Sequence, residues 1–184
     1  VIWMTNHNVT VIPTHIQGYR NVEADALSRK DLTHASEWAL SQQEFNRIVR
    51  WSKLQPPWMD LMATSRNKQT DSFVSPYPHE EAAAVDAFSI PWNYPGTVWL
   101  YPPTSVMTKV INKIREAKSL RMILITPQLP LKPWYADLLT LTANRSLSVG
   151  RKRGSIIQHV PLQEEPVIME DPSTLMLRAW IVQK

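Results

Sequence analysis

The chain of 184 residues contains no cysteine, which excludes a disulfide scaffold, a thiolate zinc site and a cysteine nucleophile together. Glycine is scarce: four residues against fifteen prolines. A phosphate-cradling loop needs backbone free of side chains, so this shortage argues against one. No apolar run approaches the roughly 18 residues that a membrane span requires. The first residues, Val1-Ile2-Trp3, show neither an initiator Met nor a basic-then-apolar leader, and the chain is expected to be a piece of a longer polypeptide. What is present is 43% apolar residues, enough for a core, and eight tryptophans. The five histidines (7, 15, 34, 79 and 159) have no metal-ligand spacing. Ser28, Ser105 and Ser155 have no recognisable base or nucleophile-elbow motif.

Charge is unevenly placed. The whole chain is +4, but residues 101–160 carry ten basic and two acidic side chains, a net +8. Lys109, Lys113, Arg115, Lys118, Arg121 and Arg151-Lys152-Arg153 make up most of this block. A concentrated positive face attracts phosphate backbones and releases their counterions, so Lys109, Lys113, Arg151, Lys152 and Arg153 are the candidate nucleic-acid contacts. The competing reading is a solvated helix face and a basic loop. Trp134 and Tyr135, near the block, are candidate stacking platforms, whereas Trp3, Trp38, Trp51, Trp92 and Trp99 read as core.

Periodicity predicts a mixed α/β chain. Val9–Ile12 reads as a short strand, and Asn21 caps a helix over Val22–Lys30. Ser41 and Glu44 form a capping box for a helix with Phe45, Ile48 and Val49 on its apolar face, ended by Pro56-Pro57. Beyond it, Trp58–Ala63, Ala84–Phe88 and Thr97–Tyr101 are strand candidates. Ser105 is expected to cap a helix whose Val106, Val110, Ile111 and Ile114 lie on one side. Arg121–Thr126 suits a strand buried on both faces, and Pro133 opens a helix over Trp134–Leu141. Ser148–Pro161 is expected as a hairpin across Arg151–Gly154. Alternating strands and helices imply a mostly parallel sheet with flanking helices. The expected division is 1–31, a helical linker over 32–57, and an α/β domain over 58–184.

The string from His15 to Arg29 combines a histidine in a loop with Asp25 in the first turns of a capped helix. Such an aspartate is held ionised by the helix dipole and suits a divalent metal, and a nearby histidine can move protons. Alone, Asp25 reads as an ordinary first-turn acid. The pattern Asn21, Ala24, Asp25, Leu27, Ser28 and Arg29 resembles the C-terminal end of the ribonuclease H domain of retroelement polyproteins. The resemblance implies that Asp25 is the last of four metal-binding carboxylates and His15 the loop histidine. Two Mg²⁺ ions would cleave the RNA strand of an RNA–DNA hybrid. One carboxylate cannot hold two ions, so this chain alone is expected to lack ribonuclease activity.

The order from Trp58-Met59-Asp60 through Trp99-Leu100-Tyr101-Pro102-Pro103-Thr104 and Met122–Pro127 to Trp134-Tyr135 carries a second resemblance. It is similar to phage DNA adenine methyltransferases, and more closely to the methyltransferase-like segment that follows ribonuclease H in DIRS-type, tyrosine-recombinase retrotransposons. That family ends a strand in Asp/Asn-Pro-Pro-Tyr/Phe, whose first side chain accepts the target amine and whose ring stacks on the flipped base. Here the four residues are Tyr101, Pro102, Pro103 and Thr104, so both the amine acceptor and the ring are replaced. Asp60 and Asp86 match acidic strand ends that would contact S-adenosylmethionine, but no glycine-rich turn follows Asp60.

The expectation is a retroelement polyprotein piece acting in reverse transcription, intracellular and without a membrane partner, with a catalytically inactive methyltransferase-like domain that binds nucleic acid. Its partners would be DNA or an RNA–DNA hybrid and neighbouring reverse transcriptase and tyrosine recombinase domains. The alternatives are an active S-adenosylmethionine-dependent DNA adenine methyltransferase and a non-enzymatic basic module.

Overall fold

In the computed structural model the chain forms two compact units, Val1–Ala35 and Ser36–Lys184. The structure describes residues 37–142, 145–159 and 165–184, all within the second unit. The ribonuclease H-like stretch with His15 and Asp25 therefore lies outside the described residues.

The second unit is a mixed α/β fold with a seven-stranded, mostly parallel sheet flanked by helices. Its order is β4 (Ala84–Val85), β3 (Ser72–Ser75), β2 (Met59–Asp60), β5 (Thr97–Leu100), β6 (Arg121–Pro127), β10 (Leu177–Gln183) and β7 (Ser146–Ser148). The first five run parallel. Strand β10 is antiparallel to both β6 and β7. From β2 the chain builds outward to β3 and β4, then returns to place β5 on the other side of β2. This reversal between β2 and β5 is the topological switch point of an open α/β sheet.

The centre of the sheet is buried on both faces, which is why β5 carries Val98-Trp99-Leu100 and β6 Met122-Ile123-Leu124-Ile125 as consecutive apolar residues. Alternation assigns the two cores. Val98, Leu100, Met122 and Leu124 face α2 (Met107–Glu116) and α3 (Pro133–Leu141), while Trp99, Ile123 and Ile125 face α1 (Gln42–Ser52). Phe45 of α1 packs on Trp99 with ring centroids 4.9 Å apart. Each such large side chain taken out of water contributes about 1.5–3 kcal/mol.

The second face is completed by a small antiparallel sheet of β1 (Glu37–Leu40), β8 (Ile156–His159) and β9 (Val167–Ile168), in the order β1-β8-β9. Within the stretch expected as a helical linker, β1 and α1 thus pack against the sheet. Half of the capping box forms: Ser41 Oγ accepts the Glu44 N–H at 3.3 Å. The Glu44 carboxylate turns away to Arg47 and to the Gly150 N–H.

Two local expectations are corrected. Ser105 does not cap α2; Thr104–Val106 form a 3₁₀ turn ahead of it, because the Pro103 carbonyl already accepts the Val106 N–H at 3.1 Å. Ser148–Pro161 is no hairpin, since β7 and β8 belong to different sheets. Gly150, at φ +70°, turns the chain off the large sheet, and Glu44 holds its N–H at 2.8 Å. Among the described residues, no helix is long and apolar enough to cross a membrane.

Candidate functional site

The carboxyl ends of β2 and β5 open into a cleft of about 310 Å³. Asp60 lies at the end of β2, and Tyr101-Pro102-Pro103-Thr104 leave the end of β5; all five line the cleft. The structure therefore brings together two groups that are 41 positions apart at their nearest residues, Asp60 and Tyr101. Ligands of open α/β sheets occupy the crevice at such a reversal.

Asp60 is 2% exposed. Its Oδ1 accepts the Met62 N–H at 3.3 Å and its Oδ2 the Gln69 N–H at 3.1 Å, so the carboxylate closes the loop that follows β2. Burial pushes this carboxyl up to about 7, against the pull of the Gln69 and Met62 N–H groups. None of the ion pairs among the described residues involves Asp60. At neutral pH it therefore lies between its charged and neutral forms, with both oxygens engaged by the backbone of the following loop.

Tyr101 directly follows β5 and lines the cleft. Burial pushes its phenol up to about 12, so it stays neutral. Pro102 is buried, whereas Pro103 and Thr104 are exposed.

Asp86 is elsewhere. It follows β4 in a left-handed conformation (φ 57°), is exposed, and its Oδ1 accepts the Phe88 N–H at 3.0 Å. It does not line the cleft. Its side chain serves a turn, as an aspartate in this backbone region commonly does.

Sequence reasoning missed the opposite wall. Trp38 and Leu40 of β1, together with Gln69, close the cleft, and Gln69 Nε2 donates to the Leu40 carbonyl at 3.1 Å. Trp99 is among the residues around the cleft as well, and its buried indole N–H has no hydrogen-bond partner among the described residues. The one local signal was the apolar spacing of Trp38 and Leu40 within the stretch read as a linker.

The basic residues are not gathered into one face. Lys109 and Lys113 lie on α2, on the first face of the sheet. Lys109 Nζ sits 5.9 Å from the centre of the Phe88 ring, and Lys113 Nζ donates to the Phe88 carbonyl at 3.0 Å. Arg115 pairs with Asp137 at 2.6 Å. Arg151, Lys152 and Arg153 occupy the exposed segment that leads into β8, on the other face. Arg153 there makes a double hydrogen bond to Glu170, at 2.7 and 2.9 Å. Trp134 and Tyr135 are core residues, 6% and 7% exposed, with Tyr135 edge-on to Trp180. Their rings are occupied by packing and are not free for bases.

Among the described residues, no cluster of three or more His, Asp or Glu side chains is placed to hold a metal ion. No protein-family model matches the chain, and a search of curated proteins finds no significant match.

Proposed function

We propose that the Ser36–Lys184 unit is a methyltransferase-like module of a retroelement polyprotein, and that its cleft binds a nucleoside-type ligand without transferring a methyl group. The convergence of Asp60 with Tyr101-Pro102-Pro103-Thr104 at the switch point supports this reading. A buried acid at one strand end and a Pro-Pro turn at the next are where the resemblance puts cofactor and target base. The substitutions at 101 and 104 speak against transfer. A neutral phenol does not replace the carboxylate or amide that draws charge from the attacking amine, and Thr104 has no ring to hold a flipped base. S-adenosylmethionine is the candidate cofactor, with Asp60 as the acceptor for its N–H groups.

The longer polyprotein would supply reverse transcriptase and tyrosine recombinase domains. In it, His15 and Asp25 would serve ribonuclease H, with Asp25 among its Mg²⁺ ligands. The experiment incubates the chain with labelled S-adenosylmethionine and duplex DNA, alongside calorimetric titration of S-adenosylmethionine. Binding without methyl incorporation is expected; methylated adenine overturns the inactive assignment, and absence of binding overturns the cofactor.

A further inference from the structure

One wall of the cleft is the edge of β1 that pairs with no other described strand, and its register shows which main-chain groups it presents. Strand β1 pairs with β8 antiparallel, Leu40 opposite Ile156 and Ala39 opposite Ile157. In such a ladder the residues alternate between turning both N–H and C=O toward the partner and turning both away. The Ser41 N–H donates to the Ser155 carbonyl at 2.9 Å, which assigns the odd-numbered residues to β8. The Met169 N–H donates to the Ile156 carbonyl at 3.1 Å, so Ile156 faces β9 and Ile157 faces β1, giving the same assignment. Trp38 and Leu40 consequently turn their main-chain groups to the free edge, the side that lines the cleft. A third bond agrees: the Leu40 carbonyl is the one that accepts from Gln69 Nε2.

That last bond decides what the edge can receive. An extended peptide adding as a strand would need the Leu40 carbonyl to continue its ladder, and Gln69 already occupies it. What stays open side by side is the Trp38 carbonyl, an acceptor, and the Leu40 N–H, a donor; no described residue bonds either of them. An acceptor beside a donor matches a ring with an amino group next to a ring nitrogen, which is the N6/N1 edge of adenine. The other walls suit a flat ring: Tyr101 is planar and Pro102 rigid, and the cleft of about 310 Å³ is of single-nucleoside size.

We infer that the free edge of β1 reads an adenine-type ring in this cleft, the Trp38 carbonyl accepting from the exocyclic amine and the Leu40 N–H donating to the adjacent ring nitrogen. The inference rests on the cleft being a nucleoside site and adds the subsite that selects the base. The same chemistry is offered by a free nucleoside and by a base carried on a strand.

The test is a residue-resolved ¹⁵N NMR titration of the full 184-residue chain. The probes are adenosine, N6,N6-dimethyladenosine, a short oligo-dA and an acetylated tetrapeptide. Adenosine or the oligonucleotide is expected to shift the Leu40 amide strongly, and whichever binds more tightly identifies the source. Dimethyladenosine lacks the amino donor and is expected to bind about tenfold more weakly than adenosine, the value of one hydrogen bond. Leu40→Pro removes the N–H on the side where an edge strand tolerates proline, and Leu40→Ala controls for the lost side chain. Adenosine affinity is expected to fall about tenfold between the alanine and proline variants. Shifts at Asp60 and Tyr101 without Leu40, or equal binding of the two nucleosides, overturn the edge inference and leave the cleft reading standing. The tetrapeptide moving Leu40 where adenosine does not also overturns it. No shift anywhere around the cleft overturns both.

Discussion

The Oδ2 of Asp60 accepts the Gln69 N–H at 3.1 Å, and the side chain of the same Gln69 donates to the Leu40 carbonyl at 3.1 Å. One residue therefore ties the end of β2 to the strand edge across the cleft. The Asp60 carboxyl titrates near 7 in the fold and near 3.9 in an unfolded chain. Between those values the folded state holds a proton that the unfolded state lacks. By linkage, stability is then fully present below about pH 4 and falls as pH rises toward 7, by about 4 kcal/mol at most. Asp60→Asn removes this dependence. The stability difference between wild type and Asp60→Asn, from urea unfolding at pH 5 and pH 8, should shift against the wild type as pH rises; a constant difference would refute the assignment.

Glu44 illustrates the opposite sign. Burial raises its carboxyl, but the Arg47 hydrogen bond, the Gly150 N–H and the charges of Arg47 and Lys152 outweigh burial and hold it below its ordinary value. Its contribution is present above the unfolded pKa and is lost as pH falls through the depressed one. Glu44→Ala leaves the Gly150 N–H buried without a partner and frees Arg47 from its fork. We expect a loss of about 2 kcal/mol, measured by chemical denaturation at pH 7 and shrinking toward acid pH. An unchanged midpoint would show that water replaces the carboxylate at no cost.

Fold and site were legible where local pattern carried the information. Strands β5 and β6 announced themselves because strands buried on both faces are rich in apolar residues at consecutive positions. Asp60 and Tyr101–Thr104 were singled out by the methyltransferase-like resemblance, and the fold places them at strand ends of the open sheet. The small sheet was hidden for a physical reason. Its pairing joins residues 37–40 to 156–159, a contact that no local window contains. Strands β4 and β9 are two residues each, too short for a period of two to register. The hidden wall of the cleft follows from the hidden sheet, since Trp38 and Leu40 belong to β1. Similarly, basic residues close in sequence were read as one face, whereas the chain connections place α2 and the Arg151–Arg153 segment on opposite sides of the sheet.

Trp134 separates packing from recognition. It is 6% exposed and belongs to the core formed by α2, α3 and the first face of the sheet. Truncating a buried tryptophan leaves a cavity, so Trp134→Ala should cost about 3–5 kcal/mol. DNA affinity, measured by fluorescence anisotropy on the folded fraction, should stay within about twofold of wild type, since a packed ring offers no stacking surface. A large affinity loss with an unchanged unfolding midpoint would return Trp134 to the role of a base platform.

If the unit binds nucleic acid through the basic residues of 101–160, as expected from their charge, binding is predicted to use one face of the sheet at a time. Lys109 and Lys113 are on α2, where Phe88 already engages both ammonium groups; Arg151 and Lys152 are exposed on the other face with Arg153 tied to Glu170. Each phosphate neutralised adds about 0.9 to the slope of log affinity against log salt. Substituting Arg151, Lys152 and Arg153 together by alanine should therefore lower the slope by about two, because two of the three cations are without an ion-pair partner among the described residues. Substituting Lys109 and Lys113 should leave the slope within about half a unit of wild type. Salt titrations of anisotropy on a single duplex measure both. Equal losses from the two variants would require one nucleic acid to contact both faces, an arrangement in which the duplex wraps around the edge of the sheet.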